Sequence, residues 1–417
     1  MDIRITLRRA LVAIVASVPM LAAFTGAALA EDPLAQVLQG RASEWSDGFD
    51  TGSVVVTEVR TLTPIISHDT VTALQYAIQT YSDIVARGGW PVVPADKPLK
   101  LGMRDPNIGV LRQRLTASGD LAYNPGASDA FDSYVDTAVR RFQGRHGIPP
   151  DGVVGTSTFA AMNIPASVRL GQLTRNLDRL KPLVAKKLDK FVVVNIPAAR
   201  IEAVEFGQVV SRHVAVVGRI DRPSPLVTSK ISEINFNPYW NVPPSLIKKD
   251  LIPYMQKDPN YLTKQHIRVF DKANNEVPPT AIDWSTDQAV NYRYKQDPGD
   301  FNSLGSVKIN FRSPEGVYMH DTPNKGLFVD DYRFDSSGCV RVQNIRELIT
   351  WVLRDTPGWD ANMVDQMFRT GERLDVKVVS PVPLEWVYIS AWATPDGVVN
   401  FRDDIYNQDG LDQLALQ

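Results

Sequence analysis

The spacing of apolar residues changes near Lys190, and this change constrains the fold more than any other feature of the chain. Before it, a leucine recurs every three or four residues from Leu170 to Leu180, which is typical of one face of a helix. After it, residues 191–196 form a continuous run of β-branched, aromatic and amide side chains that is typical of a strand. The pattern predicts an α+β multidomain protein with a helical first part and a mostly β second part.

Further helices are predicted upstream of this change because apolar residues recur at helical spacing. They cover residues 71–85, 108–115 and 135–142. A turn over residues 148–155 leads into another short helix, for which Thr156 is the predicted cap, with Phe159 and Met162 packed inward. The leucine stripe up to Pro182 is interpreted as a linking helix that belongs to the core rather than to a binding surface.

Short strands are predicted for much of the chain beyond Lys190. They cover residues 201–206, 213–218, 307–311, 375–379 and 386–389. A segment rich in Pro, Asn and Tyr interrupts this pattern at about residues 245–300, and it begins with a helix candidate over residues 245–256. We interpret the segment as an insertion into the β domain.

The chemistry is expected between Tyr318 and Arg341. Cys339 is the single cysteine of the chain, and His320 lies nineteen residues before it. Residues 316–320 are predicted to form a strand, and a helix is predicted after Asn344, with Glu347 completing a capping box. A lone cysteine is more often a buried apolar residue, and a lone histidine is usually structural. The two together, with Gly338 before the thiol and Arg341 after it, favour a nucleophile and its base.

The N-terminus has the pattern of a signal peptide over residues 1–30. Basic residues precede an apolar stretch over residues 11–24, and the small residues Ala28 and Ala30 flank a cleavage position. An uncleaved membrane anchor is the alternative. In an exported protein a lone cysteine forms either an intermolecular bridge or a free reactive thiol, and the second reading again favours a nucleophile.

Composition narrows the class of partner and of site. The 417 residues allow two or three domains, and 45 basic residues against 47 acidic ones give no basic field, so a nucleic acid is not an expected partner. The five histidines and one cysteine provide no H-x-x-x-H or C-x-x-C cluster, which argues against a metallohydrolase and predicts no metal site.

The motif resembles the signature of the bacterial L,D-transpeptidases, in which a histidine, a spacer and Ser/Thr-x-Gly-Cys-x-Arg follow one another. Short members of that family carry a second histidine before the glycine, whereas this chain has Ser337, as in the large periplasmic branch. Three more segments fit that branch, and they are residues 237–243 (Asn-Pro-Tyr-Trp-Asn-Val-Pro), residues 304–308 (Leu-Gly-Ser-Val-Lys) and residues 402–406 (Arg-Asp-Asp-Ile-Tyr). The resemblance extends over most of the chain from about Tyr81.

The resemblance implies a role for each residue of the motif. Cys339 would be the nucleophile and His320 the base, and the positive charge of Arg341 would act on the nearby thiol. The backbone carbonyl of Asp321 would orient the imidazole, its carboxylate being the rival, and the amides of Gly338 and Cys339 would bind the oxyanion. The predicted substrate contacts are Arg341, Tyr318, Ser337 and Trp240. Core packing is the alternative for Tyr318, and packing under the cap is the alternative for Trp240.

The resemblance also implies a domain plan. After the signal peptide it places an N-terminal scaffold segment (31–100), a small all-α peptidoglycan-binding-like domain (101–165), a linking helix (166–190), a mostly β catalytic domain (191–380) with a helical cap inserted at about 245–300, and a C-terminal segment that completes it (381–417). The small domain would either adhere to the wall polymer or only position the catalytic domain.

The activity implied is acyl transfer on peptidoglycan in the periplasm, without a cofactor. A tetrapeptide stem would acylate Cys339 with release of D-alanine, and a second stem would resolve the thioester into a 3–3 cross-link. Other wall-synthesis proteins are further candidate partners, and carbapenem-type compounds are implied inhibitors. The rival functions are an L,D-carboxypeptidase, a transferase that attaches a protein or a D-amino acid to the stem, and a non-catalytic wall-binding scaffold.

Overall fold

The computed structural model describes residues 61–122 and 128–410. The predicted signal peptide and residues 31–60 of the predicted scaffold segment lie outside these residues. The helical first part consists of α1 (His68–Ala86), α2 (Pro106–Ala117), α3 (Ser133–Arg145), α4 (Thr156–Met162) and α5 (Ala166–Val184). Each predicted helix of this part is present, and α5 continues through Pro182.

The helical first part contributes to two separate cores. Residues of α2, α3 and α4 enclose one of them, and Phe159 and Met162 are buried there as predicted, together with Phe142. The helices α1 and α5 pack on each other and share a second core with strands of the β domain. The predicted linking helix α5 is therefore a core element, as its leucine stripe indicated.

Strands dominate the chain after residue 189. They are β1 (Lys190–Asn195), β2 (Arg200–Glu205), β3 (Gln208–Gly218), β4 (Val227–Phe236), β5 (Trp240–Asn241), β6 (Ile267–Phe270), β7 (Arg293–Gln296), β8 (Val307–Phe311), β9 (Met319–His320), β10 (Phe334–Ser336), β11 (Val340–Val342), β12 (Leu374–Val387), β13 (Ala391–Ala393) and β14 (Val399–Phe401). Two helices, α9 (Ile345–Leu353) and α10 (Ala361–Thr370), lie between β11 and β12. The predicted α+β architecture, with a mostly β second part, is confirmed.

The main sheet has the strand order β10-β3-β11-β9-β8-β4-β12-β1-β2 in the described part of the chain. Because β3 also pairs with β2, the sheet closes on itself into a barrel-like body. Val192 and Val194 of β1 point into the core under α9 and α10, whereas Phe191 and Val193 point into the core under α1 and α5. Burial on both faces explains why β1 is a continuous apolar run rather than an alternating one.

The insertion between β5 and β8 has its own small core. It begins with α6 (Pro244–Leu246), a π-helical turn (Ile247–Leu251) and α7 (Ile252–Lys257), which together cover the predicted helix, and α8 (Tyr261–Lys264) follows. A three-stranded sheet of order β5-β7-β6 completes it. The insertion was predicted to be helical, but it contains strands as well as helices. Its strands are two to four residues long, too short to show an alternating pattern.

Several local predictions were wrong. The strand predicted over residues 316–320 is reduced to β9, because Gly316 has a positive φ of 68°. Thr156 is the first residue of α4, and its N-cap is Gly155 without a side-chain hydrogen bond. Asn344 occupies the N-cap position of α9, but it has a left-handed backbone and makes no capping-box hydrogen bond.

The strands at the centre of the sheet were the hardest to predict. The sequence pattern did not indicate β4, because a bulge between Ile231 and Glu233 breaks its alternation of apolar and polar residues. The strand predicted over residues 375–379 and the first half of the one predicted over residues 386–389 belong to one strand, β12, which ends at Val387 and contains Pro381 and Pro383. Its pairing with β4 is irregular over the same stretch, between Lys377 and Val382.

Candidate active site

Three strands place ionisable residues of the site on one face of the sheet. Lys308 of β8 and Arg341 of β11 both pair directly with His320 of β9. Residues paired directly across strands project from the same face, so these three side chains form one row. Their neighbours Ile309, Met319 and other apolar residues of these strands point into the core on the opposite face. Cys339 immediately precedes β11 and so lies beside this row.

The His320 ring is buried and held in one orientation. Its Nδ1 lies 2.5 Å from the backbone carbonyl oxygen of Asp321. Because a carbonyl oxygen only accepts hydrogen bonds, Nδ1 carries the proton and Nε2 is left unprotonated. Burial, with the Arg341 guanidinium and Lys308 ammonium nearby, lowers the pKa of His320 to about 3, against the opposing effect of the Asp321 carbonyl. The ring is therefore neutral near pH 7.

The carboxylate of Asp321 binds groups other than the imidazole. It accepts a hydrogen bond from the amide of Ser306 at 3.1 Å and forms an ion pair with Lys325. Gly305 packs directly on it with a φ of 60°, and a Cβ there would lie 2.6 Å from Oδ2. Of the two predicted ways to orient the imidazole, the structure contains the backbone carbonyl contact. The glycine of the Leu-Gly-Ser-Val-Lys segment is required by this close approach.

The loop that carries Cys339 is fixed by hydroxyl groups. Gly338 has a φ of 107°, and its amide donates to Ser336 Oγ at 3.1 Å. Ser336 Oγ in turn donates to the carbonyl of Cys339 at 2.5 Å. From the other side, Ser224 Oγ donates to the carbonyl of Gly338 at 2.9 Å. The Gly338 amide is thus already occupied, so of the two predicted oxyanion donors the amide of Cys339 is the better candidate.

The C-terminal Arg-Asp-Asp-Ile-Tyr segment supports the same loop. The hydroxyl of Tyr406 donates to the carbonyl of Gly218 at 2.5 Å and accepts from the amide of Ser224 at 3.3 Å. Ser224 Oγ accepts from the amide of Gly218 at 2.9 Å. Neither Ser224 nor Tyr406 was a predicted site residue. Tyr406 belongs to a sequence motif that could have indicated a role at the site, whereas Ser224 belongs to no such motif.

Tyr318 lies between the insertion and the thiol. Its hydroxyl accepts a hydrogen bond from Trp240 Nε1 at 3.1 Å, and the Lys308 ammonium lies 4.4 Å from its ring centroid. Hydrogen bonding by the amide and hydroxyl of Tyr318 favours the thiolate form of Cys339. Tyr318 is therefore a polar contact of the site and not merely a packing residue. Trp240 is the insertion's contact with it.

The charge balance around the thiol is set by opposing effects. Burial raises the pKa of Cys339, while Tyr318, Lys308 and Arg341 oppose this rise. Burial also lowers the pKa of Lys308 and that of Arg341. Among residues 61–122 and 128–410 no ion pair involves Lys308, so its charge is not neutralised by a carboxylate in contact. Lys308 was part of a recognised segment but not a predicted site residue.

Ser337 is exposed, and its hydroxyl accepts a hydrogen bond from Arg222 Nη1 at 3.1 Å. In the described part of the chain, no group of three or more His, Cys, Asp or Glu side chains is placed to hold a metal ion. No helix among the same residues has both the length and the apolar character needed to cross a membrane. Together these contacts define a thiol–imidazole site on a closed β-sheet, next to an inserted subdomain.

Two family models match the chain. Residues 189–364 match the model described as "YkuD: L,D-transpeptidase catalytic domain", and residues 104–162 match the one described as "Putative peptidoglycan binding domain". Residues 189–364 therefore resemble an L,D-transpeptidase catalytic domain, and residues 104–162, which precede them, resemble a peptidoglycan-binding domain. These domain types imply a cell-wall or periplasmic location.

Known proteins resemble parts of the chain. A Haemophilus influenzae protein named "Putative L,D-transpeptidase" is 35% identical over 245 residues, which are 58% of this chain and 49% of that protein. An N-acetylmuramoyl-L-alanine amidase of Mycobacterium tuberculosis is 37% identical over 84 residues, 18% of this chain and 20% of that protein. A solved L,D-transpeptidase structure from Xylanimonas cellulosilytica is 17% identical, covers 70% of this chain and 99% of that one, and has a TM-score of 0.20. The chain spans about half the length of the first relative.

Proposed function

We propose that the protein is a cysteine L,D-transpeptidase that acts on tetrapeptide stems of peptidoglycan and forms 3–3 cross-links with release of D-alanine. The observation that carries this proposal is the contact between His320 Nδ1 and the Asp321 carbonyl. This contact leaves Nε2 of the neutral, buried imidazole free to accept a proton. His320 lies on the same sheet face as Arg341 and beside the thiol. The catalytic domain match supports the choice of reaction class.

In the acylation step, Cys339 Sγ attacks the carbonyl carbon of the third stem residue while its proton passes to His320 Nε2. The C–N bond to D-alanine then breaks, the D-alanine nitrogen takes the proton back from His320, and a thioester remains on Cys339. In the second step the amine of another stem attacks the thioester and loses its proton to His320. The C–S bond then breaks, and Sγ takes that proton back from His320, which regenerates the thiol and the neutral imidazole. One amide has thus been exchanged for another without ATP.

The thiolate must be stabilised as it forms, because burial raises the pKa of Cys339. Lys308 and Arg341 provide two positive charges on the same sheet face, and Tyr318 provides hydrogen bonding from its amide and hydroxyl. The developing oxyanion is assigned to the backbone amide of Cys339, since the amide of Gly338 is bound to Ser336. Arg341, Tyr318, Ser337 and Trp240 remain the proposed substrate contacts.

The proposed division of the chain follows the same logic. Residues 191–380 would form the catalytic domain, with residues 381–417 completing it and residues 101–165 serving as the peptidoglycan-binding-like domain. Tyr406 supports the Cys339 loop from the C-terminal segment, which is consistent with that segment belonging to the catalytic unit. Export by the predicted signal peptide of residues 1–30 would place the protein in the periplasm.

The test is the intact mass of the protein after brief incubation with a disaccharide-tetrapeptide. The expected product is an adduct equal to the donor minus D-alanine, absent from the Cys339→Ala variant and lost with formation of a 3–3 dimer when acceptor stem is added. An adduct that resolves only to tripeptide would instead identify a carboxypeptidase. Resolution only by a protein amine or a D-amino acid would identify that kind of transferase. No adduct, with binding to isolated wall intact, would identify a scaffold.

A further inference from the structure

Arg222 connects the insertion to the body of the catalytic domain. It lies in the loop between β3 and β4, and its side chain is only 12% exposed. Its two terminal nitrogens donate to the two carboxylate oxygens of Asp250, at 2.7 Å and 2.9 Å. Asp250 belongs to the π-helical turn of the insertion. A two-point contact between guanidinium and carboxylate fixes the relative orientation of the two groups as well as their distance.

The same guanidinium also reaches the loop that carries the nucleophile. Arg222 Nη1 donates to Ser337 Oγ at 3.1 Å, two residues before Cys339. The contact to the insertion and the contact to the Cys339 loop thus share one nitrogen atom. A displacement of Asp250 would therefore change the position of the group that holds Ser337.

The insertion meets the site at a second point and behaves as one packed unit. Leu251 and Ile252, which follow Asp250, are buried in the insertion's own core, and Trp240 packs against that core. Trp240 donates to the Tyr318 hydroxyl at the thiol, as described above. Because Asp250 and Trp240 are joined through one core, releasing Asp250 from Arg222 loosens the unit that also holds Trp240 over Tyr318.

We infer that Arg222 is a positioning residue that latches the insertion over the nucleophile through Asp250 and holds the Cys339 loop through Ser337. The inference rests on the proposed function and adds a residue to it that no sequence motif indicated. The latch closes when the guanidinium bridges Asp250 and Ser337. In that state the insertion is held beside the thiol through the contact of Trp240 with Tyr318, and the Cys339 loop is held through Ser337.

The single cysteine makes this inference measurable without substrate. Alkylation of the full chain by iodoacetamide, followed by intact mass, reports Cys339 alone. We expect Asp250→Asn and Arg222→Gln to be alkylated about three- to tenfold faster than the wild type, as expected for loss of a partly buried bidentate ion pair. The matched control is Asp287→Asn, which removes an exposed ion pair with Lys248 inside the insertion and should leave the rate unchanged.

Acylation by the donor provides the second readout. Asp250→Asn and Arg222→Gln should lower kcat more than they raise KM, because the loop is misaligned, and Arg222→Lys should recover only part of kcat. The exchange Arg222→Asp with Asp250→Arg should restore slow alkylation but not acylation, since Ser337 then lacks its guanidinium donor. If slow alkylation and acylation both recover, Arg222 only holds the insertion, and its proposed role on the Cys339 loop is wrong.

The latch is disproved if Asp250→Asn, which leaves the packing of the insertion intact, alkylates at the wild-type rate. That comparison needs no turnover, so it is independent of the proposed function. A wild-type protein that forms no acyl-enzyme would refute the function, while the alkylation rates would still decide whether the insertion is latched over the thiol.

Discussion

At the scale of single residues, the site places an uncharged thiol and an uncharged imidazole close to two cationic side chains. His320 is neutral because it is buried near two cations, and Cys339 favours the thiol because it is buried. The resting pair is therefore a thiol and an imidazole rather than a thiolate and an imidazolium. The cations Lys308 and Arg341 lower the cost of forming the thiolate when the proton moves.

Lys308 is expected to control the ionisation of Cys339. Lys308→Met removes the positive charge and should move the midpoint of the alkylation–pH profile upward by about one pH unit. The profile of iodoacetamide reaction with the single cysteine measures this directly. Lys308→Arg keeps the charge and should restore the midpoint. An unchanged midpoint in Lys308→Met, with a raised KM for the donor, would instead assign Lys308 to a substrate carboxylate.

The pH dependence of acylation should lack the inflection of an ordinary histidine. The pKa of His320 is lowered to about 3, so the ring stays unprotonated and able to act as a base well below pH 6.5. We therefore expect kcat/KM for acylation to show no loss between pH 7 and pH 5 that titrates near 6.5. The measurement is the rate of adduct formation by mass spectrometry across this range. A midpoint near 6.5 would show that the imidazole is more exposed than its contacts indicate.

At the scale of elements, the helix after the nucleophile begins unlike its sequence pattern. Asn344 has φ 49° and ψ 41°, the left-handed region, and its side chain makes no cap hydrogen bond to α9. The chain turns sharply here because β11 lies in the sheet while α9 packs beneath it. Asn tolerates this conformation better than other residues with a Cβ, so it occupies the position for its backbone rather than for its side chain.

Substitution of Asn344 distinguishes a role for its side chain in capping α9 from a requirement for its left-handed backbone. Asn344→Ser keeps a residue type that favours N-caps, but it should lower the free energy of unfolding by about 1 kcal/mol if the left-handed backbone is what matters. Asn344→Gly should be close to the wild type. Denaturant unfolding of the three proteins provides the comparison. Glu347→Ala serves as the control, since Glu347 is exposed and should contribute less than about 0.5 kcal/mol.

At the scale of the whole molecule, the helical first part is docked firmly on the β domain. Arg145 at the end of α3 forms a buried ion pair with Asp120 and donates to the carbonyl of Val399 at 3.2 Å. His146 stacks between the rings of Phe142 and Phe401, with centroids 3.8 Å and 5.3 Å away. The small helical domain therefore packs against the β domain, and whether it also adheres to the wall polymer stays a prediction.

The buried histidines should make the folded state sensitive to mild acid. Burial lowers the pKa of His146, His213 and His320 below the ordinary value near 6.5 that they regain on unfolding. Below that pH the unfolded chain binds protons that the folded chain does not, so stability falls as pH decreases from about 6.5. A histidine that stays neutral in the folded protein contributes up to about 1.4 kcal/mol per pH unit once its unfolded form is protonated.

Denaturant unfolding at several values between pH 7.5 and pH 5 measures this slope. His146→Gln removes one titrating group, and it should reduce the loss of stability by about 1.4 kcal/mol per pH unit relative to the wild type. An identical slope in the variant would show that His146 is protonated in the folded protein. The stacking of its ring on two phenylalanines would then have to accommodate a cation.

The helical first part, the β second part and the candidate residues Cys339, His320 and Arg341 could be predicted from the sequence alone, because these predictions depend on local spacing and on side-chain type. Strand β4 and the mixed composition of the insertion escaped prediction, since a bulge and very short strands leave no periodic signal.

Which distant residues meet at the site could be seen only in the folded chain. Lys308 faces His320 because of strand register, and Ser224 supports Gly338 across 114 positions of the chain. Arg222 meets Asp250 and Ser337 in the same way, from separate segments. Register and docking are set by packing of the closed sheet and the insertion as a whole, and no local pattern of residues encodes them.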